Sequence, residues 1–366
     1  MINRERVLQE FFELVSIRCS THKEREMGDL LTKRLQELGG TVHEDKAGEA
    51  LGGNCGNLVA DFPATEGQED RPTVMLTAHM DCVEPCADIH PIRENGIIRS
   101  DGTTILGADD KAGVTAILES LRQLRERAIP HGPLQVVFTI AEENGVHGSQ
   151  HLDSSLLHAD MGFTFDTHGH PGLMSHKAPG KNQIHIHIEG KAAHAGIEPE
   201  KGINAIKAAG ELLVDAPQGR IVGGSATNVV ADSCDIYYES RSRDKEKLDT
   251  ITQRIVDHFK LGEVGTGCKI TAEVSPDYGP YEIPQDAPAI EVARRAAEKL
   301  GFPIELEESG GGSDANHFNT YGVPTAVLGV GMTKSHTKDE YIEEKDLYDA
   351  AEWALAIVCE AAGEKC

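Results

Sequence analysis

The feature that most constrains the fold of this chain is a series of short apolar runs that each lead into residues able to bind metals. Four such runs are typical of buried β-strands, and each is followed or closed by histidine or carboxylate side chains: Val74–Ala78 by His79 and Asp81, Ile105–Ala108 by Asp109, Leu134–Ala141 by Glu142 and Glu143, and Met161–Phe165 by Asp166. In an open α/β sheet the carboxyl ends of the strands meet in one crevice. The sequence therefore predicts that these side chains gather at one edge of a sheet.

The number of ligands in this predicted crevice indicates more than one metal ion. With His336 near the C-terminus, the set holds two histidines and four or five carboxylates. A single zinc ion usually takes about four ligands. Two ions that share a bridging carboxylate would use the whole set.

Length and charge narrow the classes of function. The chain has 366 residues, more than one hydrophobic core usually takes, so two domains are expected. The net charge is -25 and the sequence contains no basic block. This argues against nucleic acid and against an anionic membrane surface as partners.

Three observations predict a cytoplasmic protein. The segment Met1–Arg6 lacks the basic-then-apolar order of a signal peptide, and no apolar run is long enough to span a bilayer. The eight cysteines are scattered along a chain too large to need disulfide bonds for its stability, and the one close pair, Cys82 and Cys86, is interpreted as reduced loop thiols rather than half of a zinc site.

The order of patterns along the chain predicts an α/β fold with a second, inserted domain. Up to residue 178, strand-like and helix-like segments alternate, which is typical of a mostly parallel central sheet covered by helices. Gln183–Glu189 instead alternates strictly between apolar and polar residues, and a ferredoxin-like (α+β) order of strands and helices follows it. We expect a catalytic domain at 1–178 and 288–366, interrupted by an inserted domain at 179–287.

Sequence spacing suggests separate roles for some of the residues that follow the first two apolar runs. Asp81 lies two residues after His79 and therefore on the same strand face, where its carboxylate can orient the imidazole. Asp109 lies between an apolar run and a helical pattern, where it can bridge two cations. An aspartate at this place is also a common helix N-cap, a role that the adjacent Asp110 can take instead.

The roles of the other candidate residues remain open between two interpretations each. Of Glu142 and Glu143, one can bind metal while the other acts as a general base, although Asn-Gly after them also fits an acidic turn. The Gly310–Gly312 run can present backbone N–H groups to an anion, or it can be a plain turn. His168 and His170 follow Asp166 in a loop, from which one of them could approach the site, but solvated histidines are the favoured interpretation over ligands.

Taken together, the strings resemble those of the di-zinc metallopeptidase and amidohydrolase superfamily that includes carboxypeptidase G, aminoacylase, peptidase T and succinyl-diaminopimelate desuccinylase. They run in family order over nearly the whole chain, with the peptidase-T-like branch as the nearest match: His79-Met80-Asp81, Gly107–Gly113, Glu142-Glu143, Asp166, Gly190–Gly196, Gly311–Asp314 and His336. The resemblance implies a zinc-peptidase-like catalytic domain and two zinc ions, with cobalt or manganese as substitutes.

The same resemblance implies a role for each residue of the metal set. His79 and Asp166 would hold one zinc ion, Glu143 and His336 the other, and Asp109 would bridge them. Glu142 would be the general base and Asp81 the partner of His79. The Asp109–Asp110 peptide bond is expected to be cis.

For the inserted domain, the resemblance implies a lid and a surface through which two chains form a homodimer. His194 would contact the scissile carbonyl, either in its own chain or in the site of a partner subunit, while Asn228 and Arg241 would help to bind substrate. The Gly-rich turn makes Gly311 a further candidate for substrate binding. From the residues alone, His194 also fits a turn of small residues and Arg241 an exposed charge.

The implied function is that of a zinc-dependent exopeptidase acting on short peptides, most similar to a tripeptide aminopeptidase. An N-acyl-amino-acid amidohydrolase or a carboxypeptidase of the same superfamily is the alternative. A non-catalytic metal- or peptide-binding protein is disfavoured because Glu142 and all the ligands are present. After Asp166 the chain departs from the peptidase T pattern, with Thr-His-Gly-His-Pro-Gly, which leaves the choice of substrate open.

Overall fold

The computed structural model describes residues 2–213 and 219–366. These form two compact units, one that combines Met1–Ala178 with Tyr281–Cys366 and one that comprises Pro179–Pro280. In chain order the strands are β1 (Thr41–Glu44), β2 (Leu58–Phe62), β3 (Val74–His79), β4 (Ile92–Glu94), β5 (Ile97–Arg99), β6 (Leu134–Thr139), β7 (Met161–His168), β8 (Leu173–Ala178), β9 (Gly180–Glu189), β10 (Arg220–Gly223), β11 (Ser233–Ser242), β12 (Lys269–Tyr278), β13 (Tyr281–Glu282), β14 (Glu305–Glu308), β15 (Thr325–Met332) and β16 (Tyr341–Glu343). The α-helices are α1 (Arg4–Ser16), α2 (Arg25–Glu37), α3 (Ala47–Leu51), α4 (Ala108–Glu126), α5 (His147–Gln150), α6 (Ala205–Leu213), α7 (Lys245–Leu261), α8 (Glu263–Thr266), α9 (Pro288–Leu300), α10 (Ala315–Thr320) and α11 (Glu344–Ala362).

The first unit is built on a large mixed sheet whose centre is parallel. Its strand order is β1-β2-β6-β3-β7-β15-β8-β13, and β14 also pairs with β8. The central strands β6, β3, β7 and β15 run parallel to one another, whereas the pairs at either end of this order are antiparallel. The predicted α/β fold is confirmed.

Burial of the central strands explains their continuous apolar sequences. Every residue of β3, β6 and β15 is buried, as expected for strands that are covered on both faces. Helix α4 packs against β3 and β7, and it also contacts α1 and α11. This rigid centre fixes where the strand ends, and therefore the predicted ligands, lie.

The second unit is an antiparallel four-stranded sheet in the order β10-β11-β9-β12. On β9 the alternation seen in the sequence separates two faces: Ile184, Ile186 and Ile188 belong to the hydrophobic core of this unit, and the residues between them are more exposed. Helices α6 and α7 pack on this sheet. The unit therefore has the predicted α+β character.

The second unit ends at Pro280 rather than at the expected residue 287. Tyr281 and Glu282 form β13, which pairs with Ala178 and Lys177 of β8 in the large sheet. This backbone pairing draws the segment after Pro280 into the first unit.

Two further expectations differ from the structure. The apolar run Ile105–Ala108 is not a strand: Ile105, Leu106 and Gly107 precede α4 in a loop, because their backbone groups bond outside any sheet. Cys359 and Cys366 are joined in a disulfide rather than reduced, since the chain after α11 turns back on that helix. The six other cysteines are free and buried. Across 2–213 and 219–366, none of the helices has both the length and the apolar character needed to cross a bilayer.

Candidate metal centre

Five of the predicted ligands meet at the carboxyl ends of the parallel strands. His79 ends β3, Asp166 lies near the end of β7, and Glu143 follows β6. Asp109 is the second residue of α4, and His336 lies in the loop between β15 and β16. The strand arrangement therefore accounts for three of the five positions directly.

Asp109 lies between the two histidines. Its Oδ1 is 2.9 Å from His79 Nε2, and its Oδ2 is 3.2 Å from His336 Nε2. On the His79 side, Asp166 Oδ1 is 3.8 Å from the same nitrogen. On the other side, Glu143 Oε2 is 2.8 Å from His336 Nε2. One carboxylate thus links a His79–Asp166 pair to a Glu143–His336 pair, which is the arrangement of a bridging ligand between two ions.

The adjacent Asp110 has a different environment. Its Oδ1 accepts the Gly113 N–H at 3.0 Å, and its Oδ2 accepts the His79 N–H at 3.3 Å. Ligand atoms of His79, Asp110 and Asp166 also lie within 4.8 Å of one another. We favour Asp109 as the bridge because both Asp110 oxygens already accept backbone N–H groups. The Asp109–Asp110 peptide bond is cis, as the resemblance implies.

Crowding of buried carboxylates shapes the electrostatics of the centre. Burial, together with the charges of Asp166 and Glu143, raises the pKa of Glu142 well above its usual value. Burial and the nearby Asp109 also raise the pKa of Glu143. Hydrogen bonds to Asp109 and Glu143 raise the pKa of His336 to about 11. The protonated imidazole offsets part of the negative charge, as a divalent cation would.

The donor set fits divalent ions such as zinc. Two imidazole nitrogens and several carboxylate oxygens are the ligands that Zn²⁺ takes in catalytic sites, and Co²⁺ and Mn²⁺ accept the same types. Glu143 Oε1 is buried and has no hydrogen-bond partner in the described part of the chain. A buried carboxylate oxygen normally has one, so this atom is suited to a ligand.

Asp81 connects the first histidine to the glutamate pair. The His79 Nδ1–H donates to the Asp81 carbonyl oxygen at 3.1 Å and lies 3.4 Å from Asp81 Oδ1. This fixes the proton on Nδ1 and turns Nε2 toward Asp109. The same carboxylate accepts the backbone N–H groups of Glu142 at 3.0 Å and Glu143 at 3.3 Å. Asp81 therefore orients both the imidazole and the turn that carries the candidate base.

Three residues that sequence reasoning missed support this framework. Thr21 Oγ1 donates to Asp81 Oδ2 at 2.7 Å. Glu24, which is fully buried, accepts the N–H groups of His22 at 2.8 Å and Ala141 at 3.2 Å. Glu340 Oε2 accepts the N–H groups of Leu106 and Gly107 at 2.8 Å each, and its Oε1 accepts that of Asp109 at 3.1 Å.

Burial raises the pKa of both Glu24 and Glu340 to about 7. Glu24 and Glu340 are two of 60 acidic residues, and no local sequence motif distinguishes them from the others. Their distance in sequence from the strands they support explains why no pattern identified them.

A cavity of about 440 Å³ opens beside these residues. It is lined by Asp109, Glu142, Asp166, Thr167, His168, Ser175, Ala178, Tyr281, Ser309, Gly310, Gly311, Gly312, Ser313, Val327, Met332, Ser335 and His336. His168 thus faces the cavity, whereas His170 Nδ1 bonds both oxygens of Asp346 at 2.8 and 2.7 Å. The size of the cavity is in the usual range for small-molecule sites.

Gly311, the predicted substrate-binding residue of the Gly-rich turn, already uses its backbone groups in hydrogen bonds within the turn. The Gly311 N–H donates to Ser309 Oγ at 3.1 Å, and the Gly311 carbonyl accepts from the same hydroxyl at 2.9 Å. Gly311 lines the cavity, but its own N–H is not available to an anion in this conformation.

Within the second unit, His194 and Asn228 are neighbours. The Ala195 N–H donates to the Asn228 carbonyl at 3.0 Å, and His194 forms a β-bridge with Val229. His194 Nδ1 accepts the N–H groups of Gly196 at 3.1 Å and Ile197 at 3.2 Å. A neutral imidazole bonded in this way carries its proton on Nε2, which becomes a donor. Arg241 is separate from this loop and pairs with Glu239 Oε1 at 2.8 Å.

Known proteins resemble this chain over its whole length. The family model for peptidase family M20/M25/M40 matches residues 75–360. A tripeptidase structure from Staphylococcus aureus subsp. aureus Mu50 is 38% identical, covers 100% of both chains and superposes with a TM-score of 0.92. The aminopeptidase PepT from Bacillus cereus ATCC 10987 is also 38% identical, covers 99% of each chain and has a TM-score of 0.88. The protein YqjE of Bacillus subtilis (strain 168) is 38% identical over 99% of this chain and 100% of its own length.

These matches confirm the family resemblance inferred from the sequence strings. The match to the family model spans most of the chain and includes all five predicted ligands together with Asp81 and Glu142. The chain belongs to peptidase family M20/M25/M40.

Proposed function

We propose that this protein is a di-zinc exopeptidase that removes the N-terminal residue from tripeptides and other short peptides. The observation that carries the proposal is the Asp109 carboxylate, whose two oxygens lie 2.9 and 3.2 Å from His79 and His336, beside a cavity that Glu142 also lines. The likeness to a tripeptidase and to an aminopeptidase, each at 38% identity over nearly the whole chain, supports the choice of substrate.

His79 and Asp166 would hold one zinc ion, Glu143 and His336 the other, and Asp109 would bridge the two. When bound, two zinc ions supply the positive charge that makes water acidic at neutral pH and polarises a carbonyl. The four carboxylates Asp109, Glu142, Glu143 and Asp166 then balance the two dications, so that burial of the site is tolerated.

Glu142 is suited to move the proton. Its carboxylate lines the cavity, and its burial beside Asp166 and Glu143 raises its pKa above the usual value, which favours proton uptake by this group. It would take a proton from the attacking water and return that proton to the leaving amine. The Nε2–H of His194 would donate to the carbonyl oxygen as negative charge develops there.

Arg241 would bind the C-terminal carboxylate of the peptide. It is paired with Glu239 at 2.8 Å, so the guanidinium would exchange one carboxylate for another.

The test is a hydrolysis screen of one peptide sequence in three forms: free at both ends, N-acetylated and C-amidated. We expect the zinc-loaded protein to release the N-terminal residue from the free tripeptide, to fail on the acetylated form and to lose much of kcat/KM on the amidated form. Chelation should abolish the activity and Zn²⁺ or Co²⁺ should restore it. Hydrolysis of N-acyl amino acids alone would instead assign the amidohydrolase activity, and release of the C-terminal residue would assign a carboxypeptidase.

We also propose that two chains pair through the second unit in the cytoplasm. Its edge strand β10 exposes Ile221 and Val222, whose side chains are 45% and 53% exposed. Exposed apolar edge strands are prone to pair with another chain. Light scattering should give the mass of a dimer for the wild type and of a monomer for Val222→Lys, and a monomeric wild type would contradict this.

A further inference from the structure

The cavity beside the metal centre contains hydroxyl groups that the reaction does not use. Ser175, Ser313 and Tyr281 line it and are 1%, 7% and 8% exposed. Their hydroxyl oxygens have no hydrogen-bond partner among the described residues. Buried hydroxyls are normally paired, because leaving them unpaired costs free energy. Three of them in one cavity indicate a place for a polar group of a ligand.

A carboxylate is carried by the strand residue that pairs with Ser175. Glu307 of β14 is the cross-strand neighbour of Ser175 on β8, so the two side chains project from the same face of the sheet. Tyr281 lines the same cavity as Ser175, and burial, with a smaller contribution from the negative charge of Glu307, raises the pKa of its phenol above the usual range. Glu307 Oε2 is 3.6 Å from His168 Nε2, whereas its buried Oε1 has no hydrogen-bond partner in the described structure.

The charges around the cavity favour a cation at this position. Its lining includes acidic and histidine side chains, and no lysine or arginine of the described residues contributes to it. Two divalent ions at the metal centre would balance the four carboxylates there. The charge of Glu307 would remain, beside hydroxyls that can accept hydrogen bonds.

We propose that Ser175, Tyr281 and Glu307 form a subsite for a positively charged nitrogen of the substrate. Within the proposed function, that nitrogen is the side-chain nitrogen of a lysine or arginine residue, or the N-terminal ammonium of the peptide. The hydroxyls accept its hydrogen bonds and the carboxylate supplies the opposite charge. The subsite selects substrates and takes no part in the proton transfers.

Binding measurements on a protein that cannot turn over substrate test the subsite directly. The zinc-loaded Glu142→Gln protein would be titrated calorimetrically with three tripeptide analogues: Lys-Gly-Gly, norleucyl-Gly-Gly and hexanoyl-Gly-Gly. The first pair, Lys-Gly-Gly and norleucyl-Gly-Gly, differs only in the side-chain amine. The second pair, norleucyl-Gly-Gly and hexanoyl-Gly-Gly, differs only in the α-ammonium. We expect one of the two pairs to differ in Kd by roughly tenfold or more, the effect of a hydrogen-bonded charge.

Substitutions then assign that difference to the subsite. Adding Glu307→Gln or Tyr281→Phe should reduce the preference for the charged analogue by roughly tenfold, with little change for the analogue that lacks the charge. Glu305→Gln is the matched control, an exposed glutamate on the same strand. Tyr238→Phe is the control for the phenol, because that hydroxyl is also buried without a hydrogen-bond partner among the described residues but belongs to the core of the second unit.

The outcomes separate this inference from the proposed function. Equal affinities within each pair, an unchanged preference in Glu307→Gln, or no binding of either charged analogue would overturn the subsite. Ser175→Ala provides a second variant if Tyr281→Phe does not fold, as judged by circular dichroism. If the charge preference holds while the wild type hydrolyses no peptide, the subsite stands and the proposed function fails. If the wild type hydrolyses peptides but shows no charge preference, the proposed function stands and the subsite fails.

Discussion

Replacing Asp81 with asparagine should uncouple the metal centre from the glutamate turn without changing the volume of the buried side chain. Asp81 is fully buried. Its Oδ1 accepts the Glu142 N–H at 3.0 Å and faces the His79 ring, while its Oδ2 accepts Thr21 Oγ1 at 2.7 Å and the Glu143 N–H at 3.3 Å. An amide offers one oxygen in place of two.

The structure sets the size of the expected effect. Whichever way the new side-chain amide points, its NH₂ group faces one of the two glutamate N–H groups and cannot accept from it. A buried donor that loses its acceptor costs about 1–3 kcal/mol, which corresponds to roughly 5- to 150-fold. Loss of a partner of a metal-binding histidine typically costs about 10- to 100-fold in metal affinity or activity. We therefore expect zinc affinity and kcat/KM to fall by between about 10- and 100-fold.

Competition with a chelator would measure zinc affinity, and peptide hydrolysis would measure kcat/KM. Asp160→Asn is a suitable control, because Asp160 Oδ2 also accepts a backbone N–H, that of Thr73 at 2.7 Å, but at the opposite ends of β3 and β7. It should leave both quantities unchanged. If Asp81→Asn retained zinc affinity and activity within twofold of the wild type, the role given to Asp81 would be refuted.

Three other predictions concern the base, buried acid and substrate anchor. Glu142→Gln should keep both metals and lose kcat, whereas Glu143→Gln should also lose metal by elemental analysis; similar metal contents and turnover in the two variants would show that their roles are not distinct. The pKa of Glu24 is raised to about 7 from 4.5, so the native state binds more protons than the unfolded state between these values and stability falls as pH rises through that window. In denaturant unfolding of metal-free protein, Glu24→Gln should remove a part of this fall on the order of 3 kcal/mol, and identical pH profiles would contradict it. Arg241→Ala should raise KM for free peptides but not for C-amidated ones, and Glu239→Gln, which frees the guanidinium, should lower it; equal effects on both peptide forms would exclude Arg241 as the carboxylate anchor.

The sequence predicted the positions of those candidate ligands that lie at the end of a single strand. His79 ends β3, Glu143 follows β6 and Asp166 lies near the end of β7. These strands are adjacent and parallel, so the apolar runs alone predicted that the three residues meet. The Ile105–Ala108 run was misinterpreted as a strand because its apolar residues are buried in a loop. Its Leu106 and Gly107 N–H groups bond the Glu340 carboxylate rather than a neighbouring strand.

The supporting residues could not be predicted in this way. Thr21, Glu24 and Glu340 come from segments outside the predicted strand ends, and their hydrogen bonds depend on the packing of distant parts of the chain. Glu340 is separated by 231 residues from Asp109, whose N–H it accepts. Local periodicity and spacing contain no information about such a contact.

The long separation in sequence between Asp109 and Glu340 has a consequence during synthesis of the protein. His336 and Glu340 leave the ribosome after the whole of Pro179–Pro280. A nascent chain that ends before them already carries His79, Asp109 and Asp166, yet it has neither the second histidine nor the carboxylate that holds the backbone before α4. The proposed two-ion centre could therefore be completed only after the second unit has been translated, which would make full metal loading a late event in the maturation of each chain.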